Sequence, residues 1–280
     1  MSYLNETKPR ELTPFVLPTM MDTGFDAEDL GDDFDGLSLS FKKLKIPAGG
    51  VLQFEEQGAD PENPEYVKNI EGCIIYNHAS NAFWPAGMEY DDSSSPLCTS
   101  FDGKCGHGTP GGTCATCEMN QYGTDQSGGK GKACKNMRTL YILRSGEAMP
   151  VQLSLPPTSL RPFNDFVSAV FVTRQRPTWA SIIQIGLRRV ENGSNQYSVA
   201  TFRKVRDLTA EEIPQMKAYA GTFRAQAKEM LQQRAFEAEN RANSDDGYET
   251  MPSYSSTGDG DHFVVMGADT LNGDTDALPM

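Results

Sequence analysis

The sequence predicts a mainly β fold with helices, an α+β arrangement. Three observations point there. Short segments rich in β-branched and aromatic residues recur between Val51 and Val205. Only two stretches space their apolar residues as a helix does, one among the strands and one after them. A run of Gly, Ser, Asp, Thr and Cys from Ser80 to Asn136 interrupts the pattern. A compact domain does not carry a loop of that length unless something holds it.

The elements follow in order. "GGVLQFEE" reads as a strand with Val51, Gln53 and Glu55 opposed to Leu52 and Phe54. "NIEGCIIYNHA" reads as a second strand, in which Cys73 is a small core residue. After the insertion, "MRTLYILR" and "MPVQLSLP" are strands joined by the turn "SGEA". "PPTSLRPFNDFVSAVFVTRQ" is a helix, with Leu160, Phe163, Phe166, Val167 and Val170 on one face. "TWASIIQIGLRRVE" and "NQYSVATFRKV" form a hairpin across "NGSN". "LTAEEIPQMKAYAGTFRAQAKEMLQQRAFEAENRA" is a long helix; Thr209 and Glu212 suit a capping box, and Pro214 sits early within it. A helix ahead of a closing hairpin is the layout of an OB-type barrel. The expected organisation is an acidic N-terminal arm over 1–40, an OB-like core over 41–206 with a metal-binding loop at 96–136, a long helix over 207–243, and a disordered acidic tail over 244–280.

Charge follows the same division. The net charge is -13, yet residues 1–40 contribute -7 and residues 236–280 contribute -9, which leaves +3 on the body between. A basic body between acidic arms fits a nucleic-acid or partner-binding protein, although acidic ends also serve solubility. No run of about 18 apolar residues is present, so no membrane span is expected. The N-terminus lacks a basic start followed by an apolar block, so a cytoplasmic setting is expected. There the six cysteines serve as thiols or metal ligands rather than disulfides.

The strongest chemical signal is "PLCTSFDGKCGHGTPGGTCATCEMNQYGTDQSGGKGKACKN". Cys114 and Cys117 form a CxxC, with Cys98 upstream and Cys134 downstream at similar distances. Two residues between thiolates let both reach one tetrahedral ion, and two further donors close a structural site. The expected ligands of a structural Zn2+ are Cys98, Cys114, Cys117 and Cys134; Cys105 and His107 are reserves, either of which could replace Cys98. The loop has few apolar side chains, so the metal would supply its folding energy. "CGH" also allows a thiol nucleophile, but a glycine-rich loop positions chemistry poorly. No P-loop, HExxH or clustered carboxylate pair is present in the body, and no enzymatic activity is expected.

Single-stranded nucleic acid is held by cations on phosphates and rings on bases. "KGKACKNMR" places Lys130, Lys132, Lys135 and Arg138 around the last cysteine. "NAFWPAG" presents Phe83 and Trp84 ahead of the loop; Tyr122, Tyr141 and Trp179 are further aromatic candidates, and Arg161, Arg174 and Arg176 further cations. For any one aromatic, a core position is the commoner alternative.

The chain ends "DTDALPM". Asp274, Asp276, Leu278, Pro279 and Met280 resemble the acidic, apolar-Pro-Phe tip of the bacterial single-stranded-DNA-binding (SSB) family, with Met in place of Phe and fewer consecutive acids. In that family the tip is a hook for replication and recombination proteins. A wider stretch, from "CIIYNHASNAFW" through "SPLCTSFDG", "CATC" and "GKGKACKN" to "LSLPPTSLRPF", resembles a family of phage and integrative-element proteins with a C…CxxC…GKACxN frame. That frame matches Cys98, Cys114, Cys117 and Cys134 and does not require Cys105 or His107. Phage helix-destabilising proteins offer a likeness of architecture: a zinc loop inserted in an OB barrel and an acidic C-terminus, with a site that mixes three Cys with one His. These resemblances imply a mobile-element SSB-like protein that binds single-stranded DNA, protects it during replication or recombination, and recruits partners through its tip. The alternative is a non-enzymatic interaction factor or DNA mimic with a structural zinc. Oligomeric state stays open, a homo-oligomer or a cooperative array on the strand included.

Overall fold

A computed structural model describes residues 14–18, 41–58, 60, 63–85, 96–126, 128–193 and 195–243. Most of the N-terminal arm and all of the acidic tail, with Asp274, Asp276, Leu278, Pro279 and Met280, lie outside the described residues. The fold is mixed α+β and mostly sheet. Its strands are β1 (Lys43–Lys45), β2 (Phe54–Glu56), β3 (Glu65–Val67), β4 (Ile70–Phe83), β5 (Cys98–Ser100), β6 (Cys105–Gly108), β7 (Gly112–Thr113), β8 (Lys135–Leu143), β9 (Val151–Leu155), β10 (Ser181–Asn192) and β11 (Asn195–Asp207). Among the described residues two α-helices accompany them, α1 (Pro157–Val170) and α2 (Glu212–Asn243).

The sheet runs β3-β2-β1-β9-β8-β4-β5-β6-β7, and the β10–β11 hairpin joins it on β4. β1 and β9 pair in parallel; the other ladders are antiparallel. The 14-residue β4 is the hub. One edge of it pairs with β8; β10 takes Ile70–Gly72 and β5 takes Asn81–Phe83. Between those two ladders Thr178 donates its hydroxyl to the Ile74 carbonyl at 2.9 Å, which satisfies an edge acceptor that no strand reaches.

The sheet separates two cores. Alternation along β8 sends Leu140 and Ile142 to one side and Tyr141 and Leu143 to the other. On the first side α1 buries Phe163 and packs Leu160, Phe166, Val167 and Val170, the face its sequence marks, against Leu44, Phe54, Ile74 and Ile183. Pro157 opens this helix, where a missing N–H costs nothing. The second side is closed by Met216, Tyr219, Ala220, Phe223, Ala227 and Met230 of α2, together with Phe15, Leu17, Phe41 and Cys73. The capping box holds: Thr209 N–H donates to Glu212 Oε2 at 2.8 Å and Glu212 N–H to Thr209 Oγ1 at 3.3 Å. Pro214 falls in the first turn, where it breaks no helical bond.

The sheet is not closed into a barrel. It curls until Arg189 Nε reaches the Gly50 carbonyl at 2.9 Å and Ser198 Oγ bonds the Val51 carbonyl at 2.5 Å, but no ladder joins the hairpin to β1 or β2. Residues 51–53 are not strand; the Gly49–Gly50 turn, with both φ at 73°, leaves Val51 and Leu52 exposed. The insertion also differs from one long loop, because β4 extends to Phe83 and β5, β6 and β7 build outward from it.

Candidate metal loop and nucleic-acid trough

Four cysteines meet at the C-terminal end of β4. Phe83 pairs with Cys98 on β5, and Ala82 pairs with Lys135, the residue after Cys134, on β8. The two outer cysteines are thus set beside one strand end by register. The CxxC comes in above them through the β6–β7 hairpin, with Cys114 N–H bonded to the Lys104 carbonyl at 2.8 Å. Cys98, Cys114, Cys117 and Cys134 all line one cavity of about 10 Å³, a space of the order of one small atom. Phe83 and Met119 seal it from the side.

The turn carrying Cys114 and Cys117 is built rather than loose. Asn120 Nδ2 donates to the Cys114 carbonyl at 2.7 Å, and Gln121 Nε2 donates to the Ala115 and Cys117 carbonyls, each at 3.2 Å. Cys134 N–H donates to the Met119 carbonyl at 2.8 Å, and Thr124 ties Met119 to Ala133. Burial raises the Cys98 thiol pKa, a backbone N–H of Gly111 on its sulfur opposes that rise, and the neighbouring Cys114 and Cys117 add to it. Burial and the same neighbours push Cys134 up to about 11. Thiols that raise one another's pKa in this way are relieved by a cation among them. An all-thiol set, a one-atom cavity and an N–H donor to sulfur are the donor chemistry that a closed structural Zn2+ site uses. No three of the four sulfurs lie within 4.8 Å of one another, so they would have to draw together to close on one ion; among described residues only Cys105, His107 and Glu239 group their ligand atoms that closely. All six cysteines are free thiols.

Beside this loop the sheet carries a trough of two adjacent chambers, of about 280 and 440 Å³, both lined by Trp84, Met137, Gln152 and Ser154. The first runs under α2, between His78, Thr139, Leu231 and Arg234. The second opens between Lys43, Lys45 and Lys135, and ends at Pro156 and Pro157. Strand alternation explains the lining: Leu44, Leu153 and Leu155 point into the α1 core, so Lys43, Lys45, Gln152 and Ser154 take the other face. Lys45 lies 3.5 Å from Glu55. Burial lowers the His78 pKa, which keeps its ring neutral near pH 7.

The expected nucleic-acid residues divide into three groups. Trp84 and Lys135 line the trough. Lys130 and Tyr122 are exposed on the metal loop, away from the trough; the half-buried Lys132 lies 5.0 Å from the Tyr122 ring centre, with its Nζ donating to Asn120 Oδ1 at 3.2 Å, and Tyr122 is 82% exposed. The rest are structural or remote. Phe83 is 5% exposed under the loop and cannot stack on a base. Tyr141 is likewise fully buried. Trp179 packs on the α2 core. Arg138 faces the α1 side, bonded to Asn77 at 2.7 Å and 5.8 Å from the Phe163 ring centre. Arg176 caps the Ala180 carbonyl at 2.8 Å and lies 3.4 Å from Asp207. Arg161 and Arg174 are exposed but line neither chamber. Lys43, Lys45, Gln152, Ser154 and Arg234 are additions from the structure; the period-two "KLK" with Leu44 inward was the available signal.

Comparison of the chain with protein-family models, curated proteins and solved structures finds no match. No helix among the described residues is long and apolar enough to cross a membrane.

Proposed function

We propose that the protein binds single-stranded DNA with little sequence preference, by way of the trough beside a zinc-stabilised loop. The observation that carries this is the pairing in one chamber of an aromatic, Trp84, with Lys43, Lys45 and Lys135. Rings stack on any base and lysines follow any backbone, so such a lining holds a strand without reading it. The zinc, on Cys98, Cys114, Cys117 and Cys134, has a structural role, since it fixes the strand ends that carry Trp84 and Lys135. The curled sheet with α1 between β9 and β10 is read as an opened OB-type layout. The "ALPM" tip and the C…CxxC…GKACxN frame support a mobile-element SSB-like protein that recruits replication or recombination partners. No step of chemistry is assigned to it.

The test is a pair of variants titrated with labelled oligo-dT. Trp84→Ala should weaken binding about fivefold or more, the worth of roughly 1–3 kcal/mol of stacking, with the melting temperature kept. Arg161→Ala, outside the trough, should bind as the parent does. Unchanged affinity for Trp84→Ala would remove the trough from the DNA site.

A further inference from the structure

Cys105 and His107 are not spare ligands of the four-thiol site. They stand two apart on β6 and so share one face of that strand, while Gly106 between them takes the other. Gly106 is pressed on the four-thiol cavity: a Cβ there would sit 2.9 Å from Cys98 Sγ. Cys105 and His107 therefore face away from it, towards the C-terminal part of α2, which packs against β6. There they meet Glu239. One ligand atom of each residue lies within 4.8 Å of the other two, and His107 Nδ1 is 3.9 Å from Glu239 Oε1.

We propose that Cys105, His107 and Glu239 form a second metal site, for a divalent transition ion of the zinc class, with a fourth position open to water or an outside donor. A thiolate, an imidazole and a carboxylate are a borderline-soft set that suits Zn2+ or Co2+ and disfavours Mg2+ or Ca2+. Donors of a tetrahedral ion with bonds of about 2.0–2.3 Å stand roughly 3.3–3.8 Å apart, so closure needs movements of about 1 Å. The parts that must move can do so: Cys105 is exposed and the Glu239 side chain is 58% exposed, whereas His107 is held at 9%. The ion would link β6 to α2 across 132 residues of chain, joining the metal loop to the helix that roofs one end of the trough. An open fourth position separates this site from the closed four-thiol one, and it can take a donor from a bound partner.

The experiment is a Co2+ titration of the full-length apoprotein, read by absorption and by equilibrium dialysis of Zn2+. Two equivalents should bind. Glu239→Gln and His107→Ala should each cut this to one, leaving the intense band of a four-thiolate Co2+ centre unchanged. Glu239 is exposed enough that Glu239→Gln should melt as the parent does. One equivalent that neither variant alters would overturn the second site. One equivalent lost in His107→Ala but kept in Glu239→Gln would assign His107 to the four-thiol site and overturn it as well. One equivalent that both variants remove would support this site and refute the four-thiol reading instead.

Discussion

Glu212 joins three parts of the chain through one carboxylate. It accepts from Phe15 N–H at 2.7 Å, from Thr209 N–H at 2.8 Å and from Arg206 at 2.7 and 2.8 Å. The Arg206 bonds and the two backbone donors outweigh burial and hold its pKa at about 2, against 4.5 for a free glutamate. A depressed carboxylate stabilises the fold fully above pH 4.5, and that contribution disappears as pH falls towards 2. The shift corresponds to about 3 kcal/mol. Glu212→Gln should therefore lose about that much stability at pH 7 and almost none at pH 2, measured by denaturant melts. Equal losses at both pH values would show that the charge carries no weight. Gly106 gives a second test at this scale. Gly106→Ala places its methyl 2.9 Å from Cys98 Sγ, so the thiol must shift and zinc affinity should fall at least tenfold; wild-type affinity would mean that Cys98 is not a ligand.

At the scale of elements, the metal loop should behave as one unit. Its backbone is held by side-chain bonds from Asn120, Gln121 and Thr124 and has a small apolar cluster around Phe83 and Cys134. Removing one ligand should loosen the loop without opening the α1 core. If the four thiols hold the proposed zinc, Cys117→Ser should abolish tight zinc binding and speed amide exchange across 98–134, while Leu140 and Ile142 stay protected. Uniformly faster exchange, or retained zinc, would contradict this division. The legibility of elements follows from their length. The α1 face, the "NGSN" hairpin and the Thr209–Glu212 box were readable because each signal is local. β1 and β3 were not, since three residues carry no period. β5, β6 and β7 were hidden by Gly and Cys composition; they are strands because β4 extends far enough to template β5. The gathering of Cys98, Cys114, Cys117 and Cys134 around one cavity was foreshadowed by the CxxC and its two flanking cysteines. The trough was not, because Lys43 and Gln152 become neighbours only through the parallel β1–β9 ladder.

On the scale of the whole molecule, charge is divided by region. The total of -13 is concentrated in residues 1–40 and 236–280, and the body between them is mildly basic. A trough with three lysines in such a body attracts phosphate more than the net charge implies. Each phosphate contact to a single strand contributes about -0.7 to the slope of log affinity against log salt. Replacing Lys43, Lys45 and Lys135 together by Gln should flatten that slope by roughly 2; an unchanged slope would place the phosphates on the metal loop, at Lys130 and Lys132. DNA binding itself is best probed by fluorescence anisotropy of labelled oligo-dT with the full-length protein across a salt series, alongside its tryptophan emission. Binding should quench Trp84 and weaken steeply as salt rises. Absence of binding at low salt, in the full chain and after removal of residues 244–280 alone, which leaves Phe15 and Leu17 in the α2 core, would refute single-stranded DNA as the ligand of the trough.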